Sequence, residues 1–118
     1  MTTKAIGDFG ENAAVSYLSK SGYKILKRNF RLKFAEVDII AEKGGCTVFI
    51  EVKTRKNNLF GEPSEYVNYR KQQRIRNAAS CYVDIENTDM RFDVIEVFYS
   101  EENGAMHLSR LNHIENAF

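Results

Sequence analysis

The sequence predicts an α/β or α+β fold in which one β-sheet is flanked by helices. Two observations carry this prediction. In residues 7–21 and 64–83, apolar side chains recur at three- and four-residue intervals, as they do along one face of a helix. In residues 23–55 and 91–100, β-forming residues alternate with polar ones, which is typical of strands. The 118 residues, 43% of them hydrophobic, suit a single domain spanning 1–118 with its own core.

The first helix is predicted over residues 7–21, and Gly22 suits the position just after its end. Its apolar stripe consists of Ile6, Phe9, Ala13, Ala14, Tyr17 and Leu18. Glu11 lies at the edge of this stripe, on the same side of the helix as Leu18, and therefore does not face away from the sheet.

Three strands are predicted next, over residues 23–32, 35–43 and 46–55. Gly44 and Gly45 separate the second strand from the third, and a Gly-Gly pair between two strands is a signal for a tight hairpin. These two strands are therefore predicted to be antiparallel neighbours.

A loop over 56–64, which holds Pro63, leads into the second helix at 64–83. One side of this helix carries Val67, Lys71, Ile75, Ala78, Ala79 and Tyr82. Strands follow at 91–100 and 106–111, and the tail after them is predicted to form one helical turn. Because the second helix would cross over the sheet, the third strand and the strand at 91–100 are predicted to be parallel.

Charge and cysteine content narrow the class of protein. The net charge is only +1, but residues 1–83 hold 15 Lys and Arg against 8 Asp and Glu, a bias that suits a polyanionic partner. Charge alone favours the simpler explanation of ordinary solvated faces, because a charged block in the sequence need not become a patch on the surface. No apolar run approaches the roughly 20 residues of a membrane span. Two cysteines, Cys46 and Cys81, without a secretion signal predict a cytoplasmic protein with free thiols.

Two acids stand on the predicted hairpin where an ordinary strand would carry apolar residues. Asp38 lies six residues before Gly44 and Glu51 lies six after Gly45, so an ideal two-residue turn sets them opposite each other. Like charges that close destabilise a sheet, and a divalent cation between them would compensate. Oxygen ligands favour Mg²⁺ or Mn²⁺ over zinc. Lys53, on the same face as Glu51, could orient a metal-bound water or stabilise charge on a phosphate.

A simpler explanation of the Glu51–Lys53 pair is a solvent-exposed ion pair on a half-buried strand, which contributes little to stability. For these two residues alone, that explanation is the stronger one. With Asp38 opposite Glu51, the metal site and the exposed pair become about equally good explanations, because facing carboxylates are otherwise disfavoured.

The spacing of Asp38, Glu51 and Lys53 resembles the PD-(D/E)xK signature of restriction-endonuclease-like nucleases. A wider pattern resembles the YraN-like uncharacterised bacterial family, which is similar to archaeal Holliday-junction resolvases. The matching segments cover nearly the whole chain: GDFGENAAVSYL (7–18), GYKILKRNFR (22–31), AEVDIIA (35–41), VFIEVKTR (48–55), FGEP (60–63), KQQRIRNAASCYV (71–83) and RFDVIEV (91–97). Ala35 departs from this pattern, which usually has glycine there.

The resemblance implies an α/β, restriction-endonuclease-like fold with a central mixed sheet flanked by helices. It also implies a metal-dependent endonuclease that hydrolyses phosphodiester bonds of DNA and selects branched or Holliday-junction-like structures. Asp38 and Glu51 would then be catalytic metal ligands for Mg²⁺ or Mn²⁺, with the backbone carbonyl of Val52 completing the site. Lys53 would be the catalytic lysine, and Glu11 matches the first-helix glutamate of resolvases.

Nucleic-acid contacts would come from the basic part of the chain, and Arg55, Arg70 and Arg74 are the best candidates. No base-reading motif is present, so the analogy favours recognition of DNA structure over sequence. The resemblance to resolvases implies a homodimer, because symmetric cutting of two strands needs two sites. Asp93 is predicted to be a structural acid paired with a basic neighbour, and His113 is assigned a structural or surface role.

Two other functions remain open from the sequence. One is a non-catalytic nucleic-acid-binding module on a nuclease-like scaffold, although a binder gains nothing from acids that face phosphates. The other is a protein-interaction or small-molecule-binding protein with no nucleic-acid partner.

Overall fold

The structure, a computed structural model, describes residues 1–57 and 67–118. Its elements, in chain order, are α1 (Thr3–Lys20), β1 (Lys24–Arg31), β2 (Glu36–Lys43), β3 (Cys46–Lys56), α2 (Tyr69–Tyr82), a 3-10 turn (Ile85–Asn87), β4 (Met90–Glu102) and β5 (Ala105–Ile114). The strands form one sheet in the order β1-β2-β3-β4-β5. Strands β3 and β4 are parallel, and every other neighbouring pair is antiparallel. The α/β class, the mixed sheet and the parallel pair are thus confirmed.

Helix α1 begins four residues earlier than predicted, because Thr2 caps it. The hydroxyl of Thr2 accepts a hydrogen bond from the backbone N–H of Ala5. The predicted end is confirmed: Gly22 has φ +90°, and the N–H of Tyr23 donates to the carbonyl of Leu18. This pairing is the Schellman motif, which needs a left-handed residue after the helix.

The predicted Gly-Gly hairpin is confirmed. Gly44 and Gly45 have φ +58° and +78°, the left-handed geometry of a two-residue turn that glycine adopts without steric cost. Lys43 pairs with Cys46 across the turn, and the pairing continues to Ile39 and Ile50.

Helix α2 begins at Tyr69, later than predicted, because the side chain of Asn68 caps it by accepting from the N–H of Lys71. The predicted helical residues 64–66, and most of the predicted loop 56–64 with Pro63 and the FGEP segment, lie outside the described residues. The described apolar side of the helix nevertheless packs on the sheet as predicted, through Ile75, Ala78 and Ala79.

The sheet separates two core clusters, one with residues of α1 and one with residues of α2. The first contains Ala14, Leu18, Tyr23, Ile39, Ala41, Val48, Ile50, Ile95 and Val97. The second contains Val37, Ile40, Phe49, Val67, Ile75, Ala78, Ala79, Phe92 and Val94. Phe49 and Ile50, adjacent in β3, therefore lie on opposite faces, as strand alternation requires.

The alternation in β2 breaks beside Asp38. Simple alternation predicts that Val37 and Ile39 share a face, and this is wrong, because Val37 packs in the α2 cluster and Ile39 in the α1 cluster. The neighbouring strand is irregular at the same place. Asn29 of β1, between the residues that pair with Ile39 and Val37, has φ +52°, a left-handed conformation that a regular strand does not contain.

The C-terminal tail extends the sheet and does not form the predicted helical turn. Ile114 pairs with Val94, and His113 pairs with Ile95, so β5 continues three residues past the predicted strand. The prediction was wrong because β4 supplies hydrogen-bond partners for the backbone of this segment. Nothing in the segment's own sequence indicates this pairing.

A buried polar cluster holds this end of the sheet to α1. Asp93 is fully buried and accepts from the guanidinium of Arg91, from the N–H of Asn116 at 3.1 Å, and from the ring of His113, whose Nε2 is 2.7 Å from Oδ2. The other ring nitrogen of His113 is 2.8 Å from the hydroxyl of Tyr17 in α1. The predicted pairing of Asp93 with a basic neighbour and the structural role of His113 are confirmed.

No helix in the described parts of the chain combines the length and the apolar character needed to cross a membrane.

Candidate functional site

Asp38 and Glu51 lie where the pairing between β2 and β3 stops. The last paired residues are Ile39 and Ile50, so the two acids occupy the next position on each strand. In place of a backbone partner, the N–H of Val52 donates to Oδ2 of Asp38 at 2.8 Å. The strands separate at this point, and the opening between them is lined by carboxylates.

The environment of Asp38 disfavours its charged form. Burial raises the pKa of this carboxyl, and the negative charge of Glu51 raises the pKa further, to about 7. The Val52 N–H and the Lys71 ammonium act in the opposite direction and only partly offset these effects. Glu51 itself is 7% exposed. The two acids therefore repel each other in a partly desolvated place, as expected of a site that accommodates a cation.

The lysine that contacts Glu51 is Lys71 of α2, whose ammonium forms an ion pair with Oε1 of Glu51. Sequence reasoning placed Lys71 on the sheet-facing side of its helix but gave it no role. A cation inside an otherwise apolar helical stripe was the available signal, because such a group must find a partner where the helix packs.

Lys53 lies on β3, two residues beyond Glu51, and is half-buried. Together with Glu51, Val52, Thr54 and Arg55, it lines an open cavity of about 350 Å³. Among the described residues, none forms an ion pair with Lys53. The structure therefore places Lys53 along a cavity with Glu51, while Lys71 makes the direct contact with that acid.

Glu11 lies on the α1 side of the same opening. Its Oε1 accepts from Nε of Arg28 at 2.7 Å and from the side-chain amide of Asn29 at 3.1 Å. It lines a cavity of about 420 Å³ that also reaches Asp38 and Val52. Glu11 thus approaches the site from a second side, with its carboxylate held by β1.

The three arginines predicted to contact nucleic acid differ in position. Arg70 and Arg74 are exposed on α2 and line a cavity of about 350 Å³, which we call the acidic cavity, together with Asp38 and Glu51. Arg55 does not line the acidic cavity. It is half-buried, lies with Glu51 and Lys53 along the other open cavity, and its Nε is 3.8 Å from Oε2 of Glu96. The structure brings two of the three arginines to the acidic cavity.

The residues present fit Mg²⁺ or Mn²⁺ better than a metal that needs a complete protein cage. In residues 1–57 and 67–118, no three His, Cys, Asp or Glu side chains come together as a metal-binding group. The two carboxylates and the Val52 carbonyl are oxygen donors, and Mg²⁺ usually keeps several waters as its remaining ligands. The repulsion between Asp38 and Glu51 is the structural feature that a divalent ion would relieve.

The comparisons with known proteins identify relatives along the whole chain. The model of a family described as "Uncharacterised protein family UPF0102" matches residues 10–97. A UPF0102 protein of Clostridioides difficile is 47% identical, with both chains covered completely. One of Caldicellulosiruptor bescii is 43% identical over the full length of both chains, and one of Caldanaerobacter subterraneus is 47% identical over 98% of this chain and 95% of its own. The chain therefore belongs to the uncharacterised protein family UPF0102.

Proposed function

We propose that this protein is a metal-dependent endonuclease that hydrolyses phosphodiester bonds of DNA on a restriction-endonuclease-like version of its α/β fold. The observation that carries the proposal is the pair of mutually repelling acids, Asp38 and Glu51, where β2 and β3 separate. Lys71 contacts one of these acids, and the arginines of α2 line the same cavity.

The residues at the ends of β2 and β3 would divide this chemistry between them. Asp38, Glu51 and the Val52 carbonyl would hold Mg²⁺ or Mn²⁺. When bound, such an ion supplies an activated water and neutralises charge on the phosphate. Lys53 would stabilise the negative charge that develops on the phosphate oxygens.

The cations of α2 would hold the DNA backbone beside the acids. Arg70 and Arg74 are exposed at the cavity, where each could contact a phosphate. Without a compensating cation, Asp38 and Glu51 would repel that phosphate. A site designed only for binding would gain nothing from this repulsion, so the acids favour a catalytic role.

Calorimetric titration with Mn²⁺ tests the metal site directly. We expect the wild-type protein to bind Mn²⁺ and the variants Asp38→Asn and Glu51→Gln to lose this binding by at least tenfold, because each removes a charged ligand. Glu36→Gln is the matched control, since Glu36 lines the same cavity but is exposed and paired with Arg31 at 3.3 Å.

Cleavage of a panel of DNA substrates (single-stranded, duplex, flapped and four-way) tests the reaction. We expect Mn²⁺-dependent cleavage of at least one substrate and a loss of at least a hundredfold in Asp38→Asn, Glu51→Gln and Lys53→Ala. Cleavage that persists in the first two variants would refute the proposal. Metal-independent binding without cleavage, strengthened in Glu51→Gln, would instead identify a non-catalytic binding module.

A further inference from the structure

An exposed aromatic side chain, that of Phe34, is among the residues that line the acidic cavity. Phe34 lies in the turn between β1 and β2, and 47% of its surface is exposed. The turn is held in place on either side of this residue: the N–H of Leu32 donates to the carbonyl of Ala35 at 2.8 Å, and both residues pack against the α2 core cluster. Phe34 is therefore exposed, while Leu32 and Ala35 on either side of it are half-buried against the core.

The acidic cavity places three kinds of chemistry together. Asp38 and Glu51 supply negative charge, α2 supplies the cations Arg70, Lys71 and Arg74, and Phe34 supplies an aromatic face. A nucleotide has matching parts, because its phosphate attracts cations and its base stacks on aromatic rings. Other large exposed apolar side chains of the described residues, such as Tyr69, Ile85 and Leu108, do not line this cavity.

A base can stack on Phe34 only if its own face is free. In a duplex, neighbouring base pairs cover both faces of each base, whereas unpaired nucleotides can be splayed out and stacked on side chains. The cavity volume of about 350 Å³ is at the small end of ligand-binding pockets, which suits one nucleotide better than a base-paired segment.

We propose that Phe34 is a stacking platform for an unpaired base, and that the protein consequently selects DNA with an unpaired nucleotide beside Asp38 and Glu51. This inference rests on the proposed function for its assumption that DNA occupies the cavity. The unpaired nucleotide can come from a single strand or from the branch point of a flap or junction, since both present the same free base face.

A tryptophan at this position gives a direct probe, because the natural chain contains none. We expect the fluorescence of Phe34→Trp to be quenched on addition of an oligo-dT of about 20 nucleotides. The buffer contains EDTA, which removes the metal and so prevents metal-dependent cleavage. A blunt duplex of the same length should leave the fluorescence nearly unchanged. Leu108→Trp is the matched control, because Leu108 is similarly exposed, at 52%, but lies on β5. Equal quenching of both variants would overturn the proposal, and so would absence of quenching in Phe34→Trp at concentrations where oligo-dT is bound.

Binding measured by fluorescence anisotropy in EDTA gives the energetic test. We expect Phe34→Ala to weaken binding of oligo-dT by about tenfold or more and binding of duplex by less than twofold, while Phe34→Trp and Leu108→Ala keep wild-type affinity. Binding of a flapped duplex and of a four-way junction is measured as well, to show whether a branch point also offers Phe34 an unpaired base. Equal weakening for all DNAs, or no weakening, would refute the stacking role. Because Asp38 and Glu51 repel phosphate when no metal is bound, the same variants are also measured in a Glu51→Gln background, and no binding of any DNA there would refute the role as well.

These measurements separate this inference from the endonuclease proposal. A Phe34-dependent preference for unpaired DNA without any cleavage that depends on Asp38 would support the stacking role and refute the nuclease. Cleavage that depends on Asp38 together with unchanged binding by Phe34→Ala would support the nuclease and refute the stacking role alone.

Discussion

Asp38 shows how far one side chain's chemistry depends on its neighbours. The ordinary pKa of an aspartic acid is 3.8, but burial and the charge of Glu51 raise that of Asp38 to about 7. The folded protein therefore holds this proton more tightly than the unfolded chain does. At any pH between these two pKa values, ionisation of Asp38 in the folded protein lowers the free energy of unfolding.

The metal-free protein should consequently become less stable, relative to Asp38→Asn, as the pH rises from about 4 to about 7. The difference in unfolding free energy between the wild type and Asp38→Asn should change by up to about 1.4 kcal/mol per pH unit and level off above pH 7. Urea unfolding in EDTA at several pH values measures this difference. A constant difference across the range would show that the carboxyl titrates normally.

Lys71 is the second residue whose effect on stability depends on its neighbour, the carboxylate of Glu51. Its ammonium is paired with the buried Glu51, yet its own side chain is 44% exposed, so the pair is partly screened by water. We expect Lys71→Met to lower the unfolding free energy in EDTA by on the order of 1 kcal/mol, because the two acids lose their nearest cation.

The same variant should gain more thermal stability from Mn²⁺ than the wild type, because no ammonium competes for Glu51. Differential scanning calorimetry with and without Mn²⁺ measures both effects. Arg74→Met is the control, since Arg74 lines the same cavity from the next turn of α2. An equal Mn²⁺ shift in the wild type and Lys71→Met would contradict competition between the lysine and the ion.

At the scale of elements, the approach of α1 to β3 defines one side of the site. A Cβ atom added to Gly10 would lie 1.7 Å from Oγ1 and 2.8 Å from Cβ of Thr54, so the absence of a side chain permits this approach. Thr54 is two residues beyond Val52, the candidate carbonyl ligand. The close contact thus holds the helix that carries Glu11 against the strand that carries Glu51.

Gly10→Ala should therefore destabilise the protein by about 1–3 kcal/mol, through overpacking at Thr54. Gly7→Ala is a matched control in the same helix, because nothing lies within 4 Å of its added Cβ. This control should be neutral or stabilising by up to about 1 kcal/mol, through better helix propensity. Urea unfolding of both variants decides the matter, and equal effects would show that the contact with Thr54 is not the cause.

At the scale of the whole molecule, the Asp93 cluster links parts that are distant in sequence. Burial alone would raise the pKa of Asp93, but the hydrogen bonds from His113 and Arg91 outweigh it and hold the pKa below its ordinary value. Arg91 also donates to the hydroxyl of Tyr23, which lies three residues past the end of α1. The cluster therefore ties α1, β4 and the C-terminal strand together away from the acidic cavity.

Asp93→Asn should lower the unfolding free energy by about 3 kcal/mol or more at neutral pH, because Arg91 would keep its charge in a largely buried place. Mn²⁺ binding by the remaining folded protein should be unchanged, since Asp93 does not line the acidic cavity. Urea unfolding and calorimetry test these two outcomes separately, with the exposed Glu102→Gln of β4 as control. A loss below about 0.5 kcal/mol would contradict the structural role.

Much of the fold follows from patterns that are local in the chain. Gly22 ends α1 and Gly44-Gly45 turns the hairpin, because both places need left-handed backbone that glycine adopts easily. The crossover of α2 fixes the parallel pairing of β3 and β4. The adjacent positions of Asp38 and Glu51 also follow, since counting from a two-residue turn specifies which residues face each other.

The sequence by itself determined the α/β class, the order of the elements and the candidate acids, because periodicity and turn residues act over a few neighbouring positions. The tertiary structure alone decided that Lys71 contacts Glu51, that β2 changes face beside Asp38, and that Arg55 approaches Glu96. The position of Phe34 at the acidic cavity is likewise seen only in the tertiary structure. These contacts join residues on different elements, and the packing that brings such elements together has no local signature in the chain.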